Sequence, residues 1–198
     1  MEVPYDESGL QSLLGYGRTT HLRSGGICQL CGCGAGPEID FDLWRQFTIE
    51  HLIGQGQGGY PPQIKVAVDV RFGHLSAEQR TELAGHIHDA NVVTACHFCN
   101  STTSRNIAMF TMTEAIAALP DDPEEALAVL REKLQAVLVA KRKQCNWKLR
   151  SVYRAFKDEI RPELVKRRED DPALRQSRDL SALDVTASND PHTYDAHS

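Results

Sequence analysis

Two short cysteine pairs constrain this chain more than any other feature: Cys28-Gln-Leu-Cys31 and Cys96-His-Phe-Cys99. In each pair, two intervening residues let both thiolates approach one ion from a tight turn, as in a zinc knuckle. Together Cys28, Cys31, Cys96 and Cys99 make a closed four-thiolate site for structural Zn²⁺. Such a site ties together segments 65 residues apart and adds the metal's affinity to the folding of a thinly cored unit. One pair alone would also fit a redox dithiol. Cys33 offers a second register through Cys31-Gly-Cys33, but the two-residue spacing favours Cys31. Cys145 falls on an apolar helical stripe and reads as core.

The remaining patterning divides the 198 residues into four segments. Residues 1–27 read as a loose lead-in with one short helix. Residues 28–109 are dense in Cys, His, Gly and Asn and carry two β-type runs, Phe47-Thr-Ile and Val92-Val-Thr. Between these runs, Ser76-Ala-Glu-Gln79 has the form of a capping box and predicts a helix to about Ile87. Residues 110–168 form a helical extension. Asp122 is placed as N-cap, Pro123 at the first helical position and Glu124 and Glu125 in the first turn. Apolar residues then recur at Leu127, Leu130, Leu134, Val137, Leu138, Cys145, Leu149, Val152, Phe156 and Ile160, one side of a long amphipathic helix or of two helices with a break. Pro162 is expected to end or kink it. Residues 169–198, rich in acids, Ser and Pro, are expected to be mobile. The fold class expected is α+β, with no internal repeat.

No run of 18 apolar residues appears, and the first residues lack the basic flank and apolar stretch of a signal peptide, so a cytoplasmic protein with no membrane partner is expected. Of six cysteines, four form the two CxxC pairs, and a reducing compartment would keep their thiolates available as metal ligands. The net charge of -5 hides a segregated distribution: residues 131–168 hold 13 Lys+Arg against 4 Asp+Glu. A one-signed excess of this kind suits phosphate-backbone contact better than a salt-bridged solvated face. Lys141, Arg142, Lys143, Lys148, Arg150 and Arg154 are the expected contacts, with Arg105 as a further candidate.

Between the cysteine pairs lies a set of residues suited to phosphodiester hydrolysis, which needs an activated water, a sink for transition-state charge and help for the leaving oxygen. Glu50-His51 ends the first β-type run, Gly58-Gly59 closes a Gly-rich turn, Asn91 precedes Val92-Val-Thr, and Asn100 follows Cys99 directly. His51 suits a general base, because imidazole titrates near working pH. Glu50 and Asn100 offer oxygen ligands to Mg²⁺ or Mn²⁺. Asn91 would hold the loop or the His ring in place. On these residues, over roughly 28–106, the chain resembles the HNH endonuclease family of the ββα-metal type, in its four-cysteine form.

The resemblance implies a zinc-stapled ββα-metal core with an inserted helix, the same roles for Glu50, His51, Asn91 and Asn100, and products with 5′-phosphate and 3′-hydroxyl ends. Glu50 stands where Asp is more usual, and the 39 residues between His51 and Asn91 exceed the common spacing, hence the inserted helix. The expected activity is metal-dependent hydrolysis of DNA, double-stranded rather than RNA. A homodimer or protein partner is compatible with the sequence and not shown by it. The competing reading is a zinc-stabilised nucleic-acid-binding or interaction module without chemistry.

Three signals are set aside. Gly54 to Gly59 satisfies GxGxxG, but Tyr60-Pro61-Pro62 follows where a dinucleotide site needs a helix, so the glycines read as a turn. His74, His86 and His88 read as exposed or hydrogen-bonded rather than as a second metal site. His97 reads as exposed.

Overall fold

A computed structural model describes residues 17–38, 41–103 and 107–171. Among these, the chain is α+β: helices around one two-stranded antiparallel sheet. One unit runs to Ser151 and a second begins at Val152. The first unit begins with α1 (Gly17–Arg23) and α2 (Phe41–Trp44), which lead into β1 (Phe47–His51). A single 3-10 turn, Gln55–Gln57, precedes α3 (Pro61–Arg71) and α4 (Ala77–Asn91). Then come β2 (Val92–Cys96), α5 (His97–Thr102), α6 (Met112–Ala117) and α7 (Pro123–Ala155).

Both β-type runs form strands, paired from Phe47 opposite Cys96 to His51 opposite Val92. Every residue of β2 is buried, because both edges and faces are covered. Beyond β1, its other edge is met by Gln29, whose N–H donates to the Thr94 carbonyl at 2.8 Å while its Oε1 accepts from Thr94 N. On one face, His21 Nδ1 and Ser24 Oγ of the α1 region meet Thr94 Oγ1 at 3.0 and 2.8 Å. The short α5 packs on both strands.

The insertion between the strands holds two helices where one was expected. α4 starts on the anticipated capping box, with Ser76 Oγ accepting from Gln79 N, and continues past Ile87 to Asn91. α3 begins at the Pro61-Pro62 pair that was read as excluding a helix. Proline is well placed in a first turn, where its missing N–H has no intrahelical partner. The Gly-rich segment is still no dinucleotide fingerprint, since it follows a strand of an antiparallel pair rather than a parallel βαβ unit.

α7 starts as anticipated, with Asp122 Oδ1 accepting from Glu124 N and Glu125 N. Its buried stripe comprises Ala126, Leu130, Leu134, Val137, Leu138, Lys141 and Cys145. Through it the helical segment beyond 109 shares one core with Ile53, Ile64, Val68, Phe72 and Ile87 of the preceding elements. In the second unit the helix passes through a π turn, Phe156–Ile160, into α8 (Arg161–Asp170), with Pro162 in the first turn of α8. The proline thus changes the hydrogen-bonding pattern just upstream of itself. No described helix is long and apolar enough to cross a membrane. The expected mobile tail from 172 onward and Arg105 lie outside the described residues.

Candidate metal centre and active site

The first cysteine pair sits in a reverse turn fixed by its own backbone. Cys28 N donates to the Cys33 carbonyl and Gly32 N to the Cys28 carbonyl, each at 2.8 Å, and Gly32 takes φ 79°, where a side chain would be strained. Cys33 therefore shapes the turn through its main chain. Cys96 ends β2 and Cys99 lies on α5, so Gln29's contact with β2 brings the two pairs together.

The Sγ atoms of Cys28, Cys31, Cys96 and Cys99 all lie within 4.8 Å of one another, and the group could hold a metal ion such as zinc. Four sulfurs bound at about 2.3 Å to one tetrahedral ion would stand about 3.8 Å apart. Cys31 Sγ and Cys96 Sγ are 3.9 Å apart. Hydrogen bonds from Cys31, Cys96 and Cys99 draw the Cys28 thiol pKa down, while the same crowding drives that of Cys99 up. Cys96 is also drawn down, to about 7, and Cys31 is pushed up, so the four thiols do not all ionise together without a cation, which is the electrostatic condition a bound Zn²⁺ relieves. Cys145, read from sequence as plain core, is buried beside this group and within hydrogen-bonding reach of Cys99.

The second cluster forms at the end of β1. Asn91, wholly buried as the last residue of α4, fastens the loop that follows. Its Oδ1 accepts from Ile53 N at 2.9 Å, and its Nδ2 donates to the carbonyls of Ile53 and Gly59 at 3.0 and 2.9 Å. The Asn91 carbonyl accepts from Leu52 N at 2.8 Å. Gly59 is required by this approach, because a Cβ there would lie 1.7 Å from the Ile53 carbonyl oxygen. Of the two uses expected for Asn91, the loop is the one its hydrogen bonds serve.

His51, at the mouth of this loop, is 8% exposed and stacks on Tyr60 with ring centroids 4.3 Å apart and planes at 15°. The His88 ring lies 5.7 Å away. Burial first, then the nearby His88 and the Lys141 ammonium, hold the His51 pKa down at about 4, below the near-neutral titration expected from the sequence, so the imidazole is neutral near pH 7 and a weaker base than a free one. Sequence reasoning had set His88 aside. It precedes Asn91 by three residues, so one helical face delivers both to the site.

Glu50 meets different partners from His51, as neighbouring strand positions do. Glu50 is 7% exposed, and its carboxylate is in contact with Lys141 Nζ, whose side chain is completely buried. This corrects the expectation that Lys141 belongs to the solvent-facing basic surface. Position 141 follows Leu134, Val137 and Leu138 by seven, four and three residues and precedes Cys145 by four, which places it on the buried stripe.

Asn100 Nδ2 donates to Thr48 Oγ1 at 2.9 Å and lies 3.4 Å from the Ile49 carbonyl, leaving Oδ1 as the atom it could offer a cation. Of the other expected phosphate contacts, Lys143, Arg150 and Arg154 are exposed. Arg142 and Lys148 are half-buried and donate to the carbonyls of Gln29 and Thr102. His74, His86 and His97 are exposed.

Comparison of the chain with protein-family models, with curated proteins and with solved structures returned no match in any of the three.

Proposed function

We propose that this chain is a metal-dependent endonuclease of the HNH type that hydrolyses DNA phosphodiesters, with His51 as general base. The observation that carries this reading is the Asn91 brace. Three side-chain hydrogen bonds and an obligate glycine fix the loop that leaves His51, and the imidazole they frame is buried and neutral. A group kept unprotonated can take a proton from an attacking water without first losing one. Tyr60, stacked on the ring, restricts its rotation. As water attacks phosphorus, its proton passes to the His51 imidazole, and the bond to the 3′ oxygen breaks with its electron pair going to that oxygen, which takes a proton from solvent to become the 3′-hydroxyl.

The four-cysteine group would hold Zn²⁺ in a structural role, since four thiolates leave no open position for chemistry. Glu50 and Asn100 supply hard oxygen donors, the chemistry that suits Mg²⁺ or Mn²⁺. Such an ion, when bound, would supply Lewis-acid stabilisation of the developing charge. The exposed Lys143 and Arg150 on α7 and Arg154 in the second unit would contact phosphates without reading sequence.

The rival reading, a zinc-stabilised binding module, is favoured by one observation: Glu50 is already paired with an internal ammonium. Supercoiled plasmid separates the two. An endonuclease converts it to nicked or linear forms with Mg²⁺ or Mn²⁺ and stops in EDTA at exposures too short to strip zinc. A binding module shifts the plasmid on a gel with or without the ion and leaves it supercoiled.

A further inference from the structure

The Glu50–Lys141 pair stands out in the first unit for its burial. Lys141 is 0% exposed, Glu50 is its carboxylate partner, and the pair joins α7 to the strand position directly before His51. Burying two ions incurs a desolvation cost that a surface pair avoids, and a hydrophobic residue at position 141 would continue the stripe of Leu134, Leu138 and Cys145 at no such cost. A charged residue there calls for a reason tied to Glu50. We propose that Lys141 is a built-in occupant of the cation position at Glu50, and that a divalent ion reaches this carboxylate only by displacing it.

The inference rests on the reading of Glu50 as a metal ligand. The Nζ atom contacts Glu50 Oε1, the same kind of oxygen a Mg²⁺ or Mn²⁺ ion would need. An ammonium and a divalent ion on one buried carboxylate repel strongly, so the two states exclude each other. Without the ion, Lys141 contacts the Glu50 carboxylate and holds it in place, so the site does not collapse around an uncompensated charge. With the ion, Lys141 withdraws along its flexible four-carbon chain. One turn further along α7, Cys145 is buried in the same core as Cys28, Cys96 and Cys99, so the helix that releases Glu50 stays packed beside the four-cysteine group.

Mn²⁺ binding to the zinc-loaded full chain, followed by electron paramagnetic resonance titration, tests this without reference to activity. The variants are Lys141→Gln, which retains an N–H donor for Glu50 without the charge, and Glu50→Gln, each checked for zinc content and circular dichroism. Lys141→Gln is expected to bind Mn²⁺ at least tenfold more tightly than wild type, and Glu50→Gln to lose the site. Unchanged or weaker binding in a folded Lys141→Gln, with loss in Glu50→Gln, overturns the displacement while leaving the nuclease reading intact. If the wild type binds no Mn²⁺ and cuts no plasmid in its presence, both fall. Should Lys141→Gln not fold, acetylation of the wild type decides: Lys141 is expected to resist amine acetylation without Mn²⁺ and to become labelled at saturating Mn²⁺. Equal protection in both conditions overturns the proposal.

Discussion

Replacing Asn91 with alanine removes a brace whose three bonds can be counted. The Ile53 N–H and the carbonyls of Ile53 and Gly59 lose their partner together, at a position with no solvent exposure. Each orphaned buried group costs about 1–3 kcal/mol, and partial relaxation of the loop toward water recovers some of it. The net loss is expected to be about 4 kcal/mol. For a chain of this size each kcal/mol lowers the midpoint by about 2–4 °C, so thermal unfolding followed by circular dichroism should show a drop of about 10 °C at equal zinc content. Asn91→Asp is a sharper control. It preserves shape and the acceptor for Ile53 N, yet sets a carboxylate oxygen against two carbonyls and buries a charge, so it is expected to be at least as damaging. An Asn91→Ala protein within about 1 kcal/mol of wild type, or an Asn91→Asp protein as stable as wild type, would refute the brace.

Other consequences are open to measurement. Gly59→Ala cannot keep the loop, because its Cβ would overlap the Ile53 carbonyl, and the His51 ring resonances should shift or broaden. The purified chain should carry one equivalent of zinc by elemental analysis, retained in Cys33→Ser and lost with cooperative folding in Cys99→Ser. His51 has a folded-state pKa lowered to about 4 from 6.5, so the unfolded chain binds more protons between these values. Its contribution to stability is therefore complete above about pH 6.5 and falls as the pH drops toward 4, with His21 and His88 shifted in the same direction by burial. An NMR titration of the imidazole should place the His51 transition near pH 4. If Lys143 and Arg150 contact phosphates, Lys143→Gln and Arg150→Gln should each reduce the salt slope of DNA binding by about one, equally for all sequences.

Much of this was legible in the residues. The 65-residue separation of two CxxC pairs anticipated the thiolate group, and side-chain caps at Ser76 and Asp122 marked two helix starts by local chemistry alone. Asn91 was recognisable as a loop holder, although not as the end of a helix. What was missed depended on packing between distant segments. Lys141 looked like one more basic residue beside Arg142 and Lys143, and only its seven-residue offset from Leu134 placed it inside. The side chain that makes this burial tolerable, Glu50, lies 91 residues away. His88 was obscured because burial at the end of α4 depends on Tyr60 and β1, which periodicity within one helix does not report. Pro61-Pro62 was read as excluding a helix where it opens α3, although proline is well placed in a first helical turn.

The claim that His51 performs the chemistry is tested most directly by the single-turnover rate of plasmid nicking with Mg²⁺ or Mn²⁺, for wild type and His51→Ala matched in zinc content and circular dichroism. The account predicts a metal-dependent rate for wild type and a loss of at least a hundredfold for the folded variant. Cutting by His51→Ala at the wild-type rate, or no cutting by wild type with either ion, would contradict it.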